Sequence, residues 1–176
     1  VFPKVIESRL NNFIMKEKNT YSFKKYSSLY ENNVSSFSLF LESANSITND
    51  DVKLSERLFL PSNKLRGFEK GKVGPKDGND FVGGNFAAAI NASTTLPLLF
   101  ENTENIDGTF FLDIANLWGV DYDSSLDDNN KIRSSIGIGL DWNTAIGPMT
   151  FTLSEALTKS STDVEETFRF DLGTTF

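Results

Sequence analysis

Arg66-Gly67-Phe68 is the stretch of this sequence whose residue types and spacing point most directly to a specific chemistry. Glycine lets the backbone turn where a side chain would clash. Phe68 can then anchor the turn in an apolar pocket, while Arg66 carries a fixed, planar cation that a buried carboxylate must meet. Other candidate chemistries fare worse. The chain has no Cys and no His, which removes disulfides, thiol chemistry, His-based proton relays and the usual zinc and haem ligands. Asp121-x-Asp123-x-Ser125 has the start of a calcium loop, yet Leu126 stands where the sharp-turn Gly belongs and Ile132 where the bidentate Glu belongs, so it reads as a solvated loop. Glu165-Glu166 and Asp127-Asp128 are neighbours in sequence, not acids converging on a cleft. Gly71-x-x-Gly74 and Gly83-Gly84 lack the strand-to-helix setting of a phosphate loop. No catalytic residue, metal or cofactor is therefore assigned, and the chain is not expected to be an enzyme.

The elements that must position Arg66 are strands. Its 17 basic and 24 acidic residues leave a net charge of -7, with no local basic block, which argues against nucleic acid as a partner. Sixteen Phe stand beside four Tyr and two Trp, a composition that favours strands and interfaces. No apolar run approaches the ~20 residues of a membrane-spanning helix. A membrane β-barrel is still allowed, because its strands need only ~10 residues of alternating polarity.

Period-two alternation recurs along the chain between connections rich in Asn, Asp and Ser. In residues 164–176, Val164, Phe168, Phe170, Leu172 and Phe176 share one parity, with Arg169 and Asp171 on the other. Pro148 opens a strand in which Met149, Phe151, Leu153 and Leu157 oppose Thr150, Thr152, Ser154 and Ala156. Residues 131–143 set Ile132, Ile136, Ile138, Leu140 and Trp142 against Arg133, Ser135, Gly137, Gly139 and Asp141. Residues 109–118 carry apolar side chains on both faces, Phe110, Leu112, Ile114 and Trp118 against Phe111, Asp113, Ala115 and Leu117, and residues 85–96 put Phe86 and Ile90 opposite Ala87, Ala89, Asn91 and Ser93. Residues 35–45, 20–31 and 4–16 complete about eight strands, an even number that suits an antiparallel barrel without free edges.

Connection lengths also alternate. Long ones fall at residues 46–80 and 121–130, with briefer ones near Lys159 and Lys18 on the same side. Short ones fall at 143–147 and at Asn32-Asn33, with 101–107 somewhat longer than its neighbours. Segment 46–80 is too long for an ordinary loop, and its Leu58-Phe59-Leu60 and Leu65 to Phe68 want burial. Whether the apolar parity faces lipid or fills a soluble barrel is decided by the other face. That face is mostly Gly, Ala, Ser, Thr and Asn with few long charged residues, which suits a hydrated or occupied lumen better than a water-facing exterior.

The chain resembles the C-terminal part of the barrel of BamA-type outer-membrane assembly factors, within the bacterial surface-antigen transporter superfamily. The resemblance rests on Arg66-Gly67-Phe68 after Leu65, Val73-Gly74-Pro75, Val82-Gly83-Gly84-Asn85, Phe110-Phe111-Leu112-Asp113 with Trp118, Gly147-Pro148, and the terminal Phe168-x-Phe170-x-Leu172-Gly173-x-x-Phe176. Together these span residues 54–176. It implies an all-β, antiparallel transmembrane barrel in a Gram-negative outer membrane, with residues 1–176 forming about half of a barrel of about sixteen strands. It also implies that loop 46–80 folds into the lumen, where Arg66 meets Asp113 beside Phe111. A Glu the family often carries is Ser93 here, leaving more of the balancing charge to Asp113. The terminal Phe168, Phe170, Leu172 and Phe176 resemble the β-signal through which assembly machinery captures a strand edge.

The implied partners are outer-membrane lipid, unfolded outer-membrane protein strands and assembly-machinery subunits. The periplasmic POTRA domains of the family are not among these residues, and the Val1-Phe2-Pro3 start reads as a mature product or a cut fragment. One conflict follows. Eight closed strands have an interior just filled by side chains, so a plugged loop requires a wider barrel, pairing with a second chain, or a loop left outside. A passive eight-stranded barrel, a secretion-type translocator and a soluble ligand-binding barrel are the alternative readings.

Overall fold

The computed structural model describes residues 16–47, 51–97, 105–126, 130–145 and 147–173. They form an all-β structure: β1 (Lys16–Ser27), β2 (Ser35–Ser46), β3 (Lys76–Asp77), β4 (Asp80–Phe81), β5 (Phe86–Thr95), β6 (Ile106–Trp118), β7 (Arg133–Thr144), β8 (Gly147–Thr158) and β9 (Phe168–Leu172). A single 3-10 turn, Leu54–Glu56, lies in the long loop. Seven strands make one antiparallel sheet in the order β1-β2-β5-β6-β7-β8-β9, and β3 and β4 form a small ribbon inside the long loop. Each strand of the sheet thus pairs with its neighbour in chain order once the ribbon is set aside. β1 and β9 are its two edges and do not pair with each other, so among the described residues the sheet does not close. The loop finds its room on the face of an open sheet, and the volume conflict of an eight-strand closure does not arise.

Side-chain alternation has the reverse order of a soluble sheet. Phe37, Ile138, Leu153 and Phe168 are 46%, 51%, 50% and 55% exposed, while Asp113, Arg133 and Ser135 on the opposite parity are 0% exposed. A water-facing exterior would place charged groups outside and these apolar groups inside. An apolar band over a polar, occupied interior is the pattern of a sheet that meets lipid. No helix among the described residues is long and apolar enough to cross a membrane.

Several boundaries differ from the alternation reading. Residues 4–15 lie outside the described residues, and Lys16 already belongs to β1, which runs through the supposed connection near Lys18. Its Lys16 to Thr20 pair with Ser46 to Glu42 across an unbroken register. Mixed polarity concealed this stretch: Lys18 reaches inward to Glu42, 3.0 Å away, so a charged residue sits comfortably within the strand. β6 begins at Ile106, three residues before the alternation at Thr109 becomes legible, pairing Ile106 with Trp142.

The largest difference is at the last strand. Alternation starts it at Val164, but β9 begins at Phe168. Residues 164–166 pair instead with the long loop: Glu69 N donates to Val164 O at 2.9 Å, Glu166 N to Gly67 O at 3.0 Å and Val164 N to Lys72 O at 3.1 Å. Periodicity assigns faces to a chain but says nothing about which backbone will pair with it.

Candidate functional site

The long loop lies against the inward face of the sheet and carries half of the buried hydrophobic cluster. Leu58, Leu60, Leu65, Phe68 and Val73 pack with Phe40, Ala44, Ala87, Ala89, Ala115 and Leu117. The alanines leave the space that the loop fills, and Phe40, Phe111 and Leu117 are the large apolar groups that point inward to meet it. This accounts for β6 being apolar on both faces: Phe110 and Leu112 face outward, Phe111 and Leu117 the loop. Gly137, paired with Phe111 across the strands, makes room for that ring, since a Cβ there would sit 2.5 Å from its Cζ. The loop's neck is closed by Leu58 and Gly84, whose backbones exchange hydrogen bonds of 2.8 and 3.0 Å.

At the loop's tip the structure brings Arg66, Asp113 and Phe111 together. Arg66 Nε donates to Asp113 Oδ2 at 2.7 Å and Nη2 to Oδ1 at 2.8 Å, a bidentate fork, and the Arg66 backbone N adds a third bond at 3.1 Å. Asn91 Nδ2 donates a fourth to Oδ1 at 2.9 Å. The guanidinium carbon lies 3.5 Å from the Phe111 ring centroid, within stacking and cation-π range. Four donors therefore satisfy a carboxylate that no water reaches, the condition under which a buried charge is tolerated. Asn91 also donates to Lys64 O at 2.9 Å, so it holds both the loop and the acid. Ser93 instead bonds Ser36 at 2.8 Å and stands apart from the network.

Gly67 has φ +89°, in the left-handed region, and a Cβ there would lie 3.0 Å from the Ser135 Cβ. Gly67→Ala is expected to weaken loop seating by about 1–2 kcal/mol through backbone strain alone, with the contact adding to it. Faster trypsin cleavage around Lys64 to Lys72 checks this; unchanged cleavage refutes it. Phe68 is buried at 2% exposure, and its carbonyl accepts a 2.7 Å bond from Arg169 Nη2.

Sequence reasoning passed over three further anchors. Arg133 and Asp163 form a pair in which both side chains are fully buried, with Nε to Oδ2 at 2.9 Å and Nη2 to Oδ1 at 3.1 Å. Asp163 also accepts from Ser160 N at 2.6 Å and Gly74 N at 3.4 Å, tying β7, the β8–β9 connection and the loop at one carboxylate. Its parity, shared with Arg169 and Asp171, was the available signal. Arg169 from β9 reaches Phe68 O, Ser62 O at 3.2 Å and the Glu166 carboxylate. At the loop's base, Arg57 pairs with Asp121 and lies over the Tyr122 ring at 4.7 Å.

The would-be calcium loop thus directs Asp121 at protein donors. Burial disfavours its charged form, but the Val52 amide, the Asn85 side chain and the Arg57 guanidinium outweigh that and hold the carboxyl below its usual value. A lowered folded pKa means stabilisation that is complete above the unfolded value, about 3.9, and lost as pH falls through the folded one. The Val52 amide is therefore expected to stay protected from hydrogen exchange at pH 5 and to lose protection only below about pH 4. Loss already at pH 5 would contradict this.

Phe168, Phe170 and Leu172 project outward from β9, and Phe170 packs against Phe151 with ring centroids 5.0 Å apart. Phe176 lies outside the described residues.

A sequence profile described as the Omp85 superfamily domain matches residues 12–176. The chain belongs to the Omp85 superfamily. Among curated Omp85 relatives, it is 31% identical over 128 residues to "Outer membrane protein assembly factor BamA" of Neorickettsia risticii (strain Illinois), covering 71% of this chain and 17% of that protein. It is 27% identical over 139 residues to the protein of the same name from Neisseria meningitidis serogroup B, covering 64% of this chain and 17% of that protein. Among solved structures, the crystal structure of BamA from Haemophilus ducreyi lacking POTRA domains 1-3 is similar with a TM-score of 0.82 and 26% identity. That match covers 92% of this chain and 35% of the BamA chain. The sheet described above is therefore an Omp85-type barrel segment, and it spans about a sixth of the length of the curated relatives it matches.

Proposed function

We propose that this chain is the C-terminal barrel portion of an outer-membrane protein assembly and insertion factor, acting in a Gram-negative outer membrane without catalysis. The observation that carries the reading is the loop seated by Arg66 on Asp113 inside a sheet whose apolar residues face outward. Its family and the names of its relatives agree with it. The work of such a factor is to lower the barrier for a strand to enter lipid, where unpaired backbone groups cost several kcal/mol each. Hydrogen bonding to a strand edge does this without nucleophile, acid or metal. In the full-length parent the partners are lipid, unfolded outer-membrane protein strands and further assembly subunits. The terminal Phe168, Phe170, Leu172 and Phe176 serve as the chain's own β-signal. By itself this portion is inactive, because insertion needs the rest of the barrel.

The test is the full-length parent reconstituted in liposomes and given a urea-unfolded barrel protein. Its folded, heat-modifiable form should accumulate faster than on empty liposomes, by about tenfold or more if at least ~1.4 kcal/mol is taken off the barrier. Delivery of a client into the liposome interior without insertion would identify a secretion-type translocator instead. No effect on any client would leave a passive barrel.

A further inference from the structure

The segment leading into the last strand has a second backbone partner within reach. β8 continues to Thr158, but its ladder with β9 ends at Leu153 opposite Phe168. Extending the same register would place Thr167 opposite Ser154, Glu165 opposite Ala156 and Val164 opposite Leu157. Val164 and Leu157 would then share the outward apolar face with Phe168 and Leu153, as the alternation of residues 164–172 suits. Ser154 N already donates to Thr167 O at 2.9 Å, the beginning of such a ladder.

Beyond that point the chain turns to the loop instead. Phe68 and Glu165 form an antiparallel bridge, flanked by the Glu69 to Val164 and Glu166 to Gly67 bonds. Arg169, on the inward face of β9, clamps the same loop from below through the Phe68 and Ser62 carbonyls. Its side chain is 13% exposed, so these charge-assisted bonds form largely out of water. Asp163 keeps its inward parity in either arrangement, so its pair with Arg133 can act as the fixed pivot.

We propose that residues 164–166 exchange between two backbone partners, the seated loop at 67–72 and the free end of β8, with Arg169 positioning them on the loop. Seating of the loop then shortens the paired length of the terminal strand, and release of the loop lengthens it. This deepens the assembly reading, since it names what regulates the length of β9. Its readout is a cross-link and needs no client, so it can fail while the assembly role stands, and the reverse.

Directly opposed residues of antiparallel strands lie within disulfide reach, and this chain has no cysteine of its own. In the full-length parent in native membranes, with any cysteine elsewhere changed to Ser, Glu69→Cys with Val164→Cys reports pairing to the loop. Leu157→Cys with Val164→Cys reports pairing to β8. Ile138→Cys with Leu153→Cys, opposed across β7 and β8, reports that the sheet is folded. The loop cross-link should dominate in the otherwise unchanged protein, and Arg169→Ala should shift the ratio toward the β8 cross-link by about tenfold. Arg169→Lys, keeping charge but losing the fork, should fall between the two. If Arg169→Ala loses the control cross-link, the Lys variant carries the test. A β8 cross-link that dominates at the outset, or a ratio that neither variant moves in a folded sheet, overturns the exchange.

Discussion

Asp163→Ala should lower the unfolding stability of this sheet by about 3–5 kcal/mol, the cost of leaving one member of a buried ion pair without its partner. Neither Asp163 nor Arg133 has any exposed side-chain surface, so water cannot solvate the guanidinium left behind. The substitution also strips an acceptor from Ser160 N and Gly74 N. A cycle separates charge from packing. Replacing both partners, as Arg133→Met with Asp163→Leu, should cost clearly less than Asp163→Ala alone, because no uncompensated charge remains. Urea midpoints in detergent or lipid give both numbers. A single variant within about 0.5 kcal/mol of the parent, the range of ordinary surface changes, would mean that the pair is not buried as described.

Arg66→Ala in the full-length parent should unseat the loop and impair outer-membrane assembly. Asp113 is then left 0% exposed with the Asn91 amide and the Arg66 backbone as donors, but with no counter-charge. The penalty falls in the same range of about 3–5 kcal/mol, a shift of roughly two to three and a half powers of ten between seated and released loop. Arg66→Lys should rescue poorly. An ammonium supplies a point charge but neither the fork to both carboxylate oxygens nor a flat face for Phe111. Two measurements check this: trypsin protection of the loop, and the rate at which the reconstituted parent folds a client. Wild-type values for both would remove the loop from the mechanism. Protection lost with folding rate unchanged would confine Arg66 to stability.

These two ion pairs were not equally visible in the chain. Arg66 announces itself through its setting, since glycine and a buried aromatic beside an arginine require a turn with somewhere to go, and Asp113 is the acid that stands among Phe111, Leu112, Ile114 and Ala115. Asp163 has no such setting. It lies in a polar connection among Ser, Thr and Glu, where an acid needs no explanation, and only the approach of β7 to the β8–β9 connection makes it a partner. Asn91 is similar. An asparagine on the small, polar face of β5 was legible as inward-facing, but its double duty toward Lys64 O and Asp113 depends on where a loop some 27 residues earlier in the chain comes to rest. Arg57 and Asp121 were hidden for another reason, because the Asp-x-Asp-x-Ser spacing invites a question about metals and diverts attention from a protein cation.

The sequence by itself determined the period, the face and the chemistry that is excluded. Strand alternation follows from the geometry of the pleat, so a composition of Phe and Ile against Gly, Ala and Ser sorts into outward and inward faces before any fold is known. The absence of His and Cys removes whole classes of site in the same way. Only the tertiary structure decided which groups pair. It set the loop on the inner face of an open sheet, chose Asp163 for Arg133, and turned residues 164–166 away from β8 toward the loop. Pairing of backbones and burial of ions depend on distances between segments far apart in the chain. Those distances are set by how the whole sheet and loop pack together, which a local pattern does not contain.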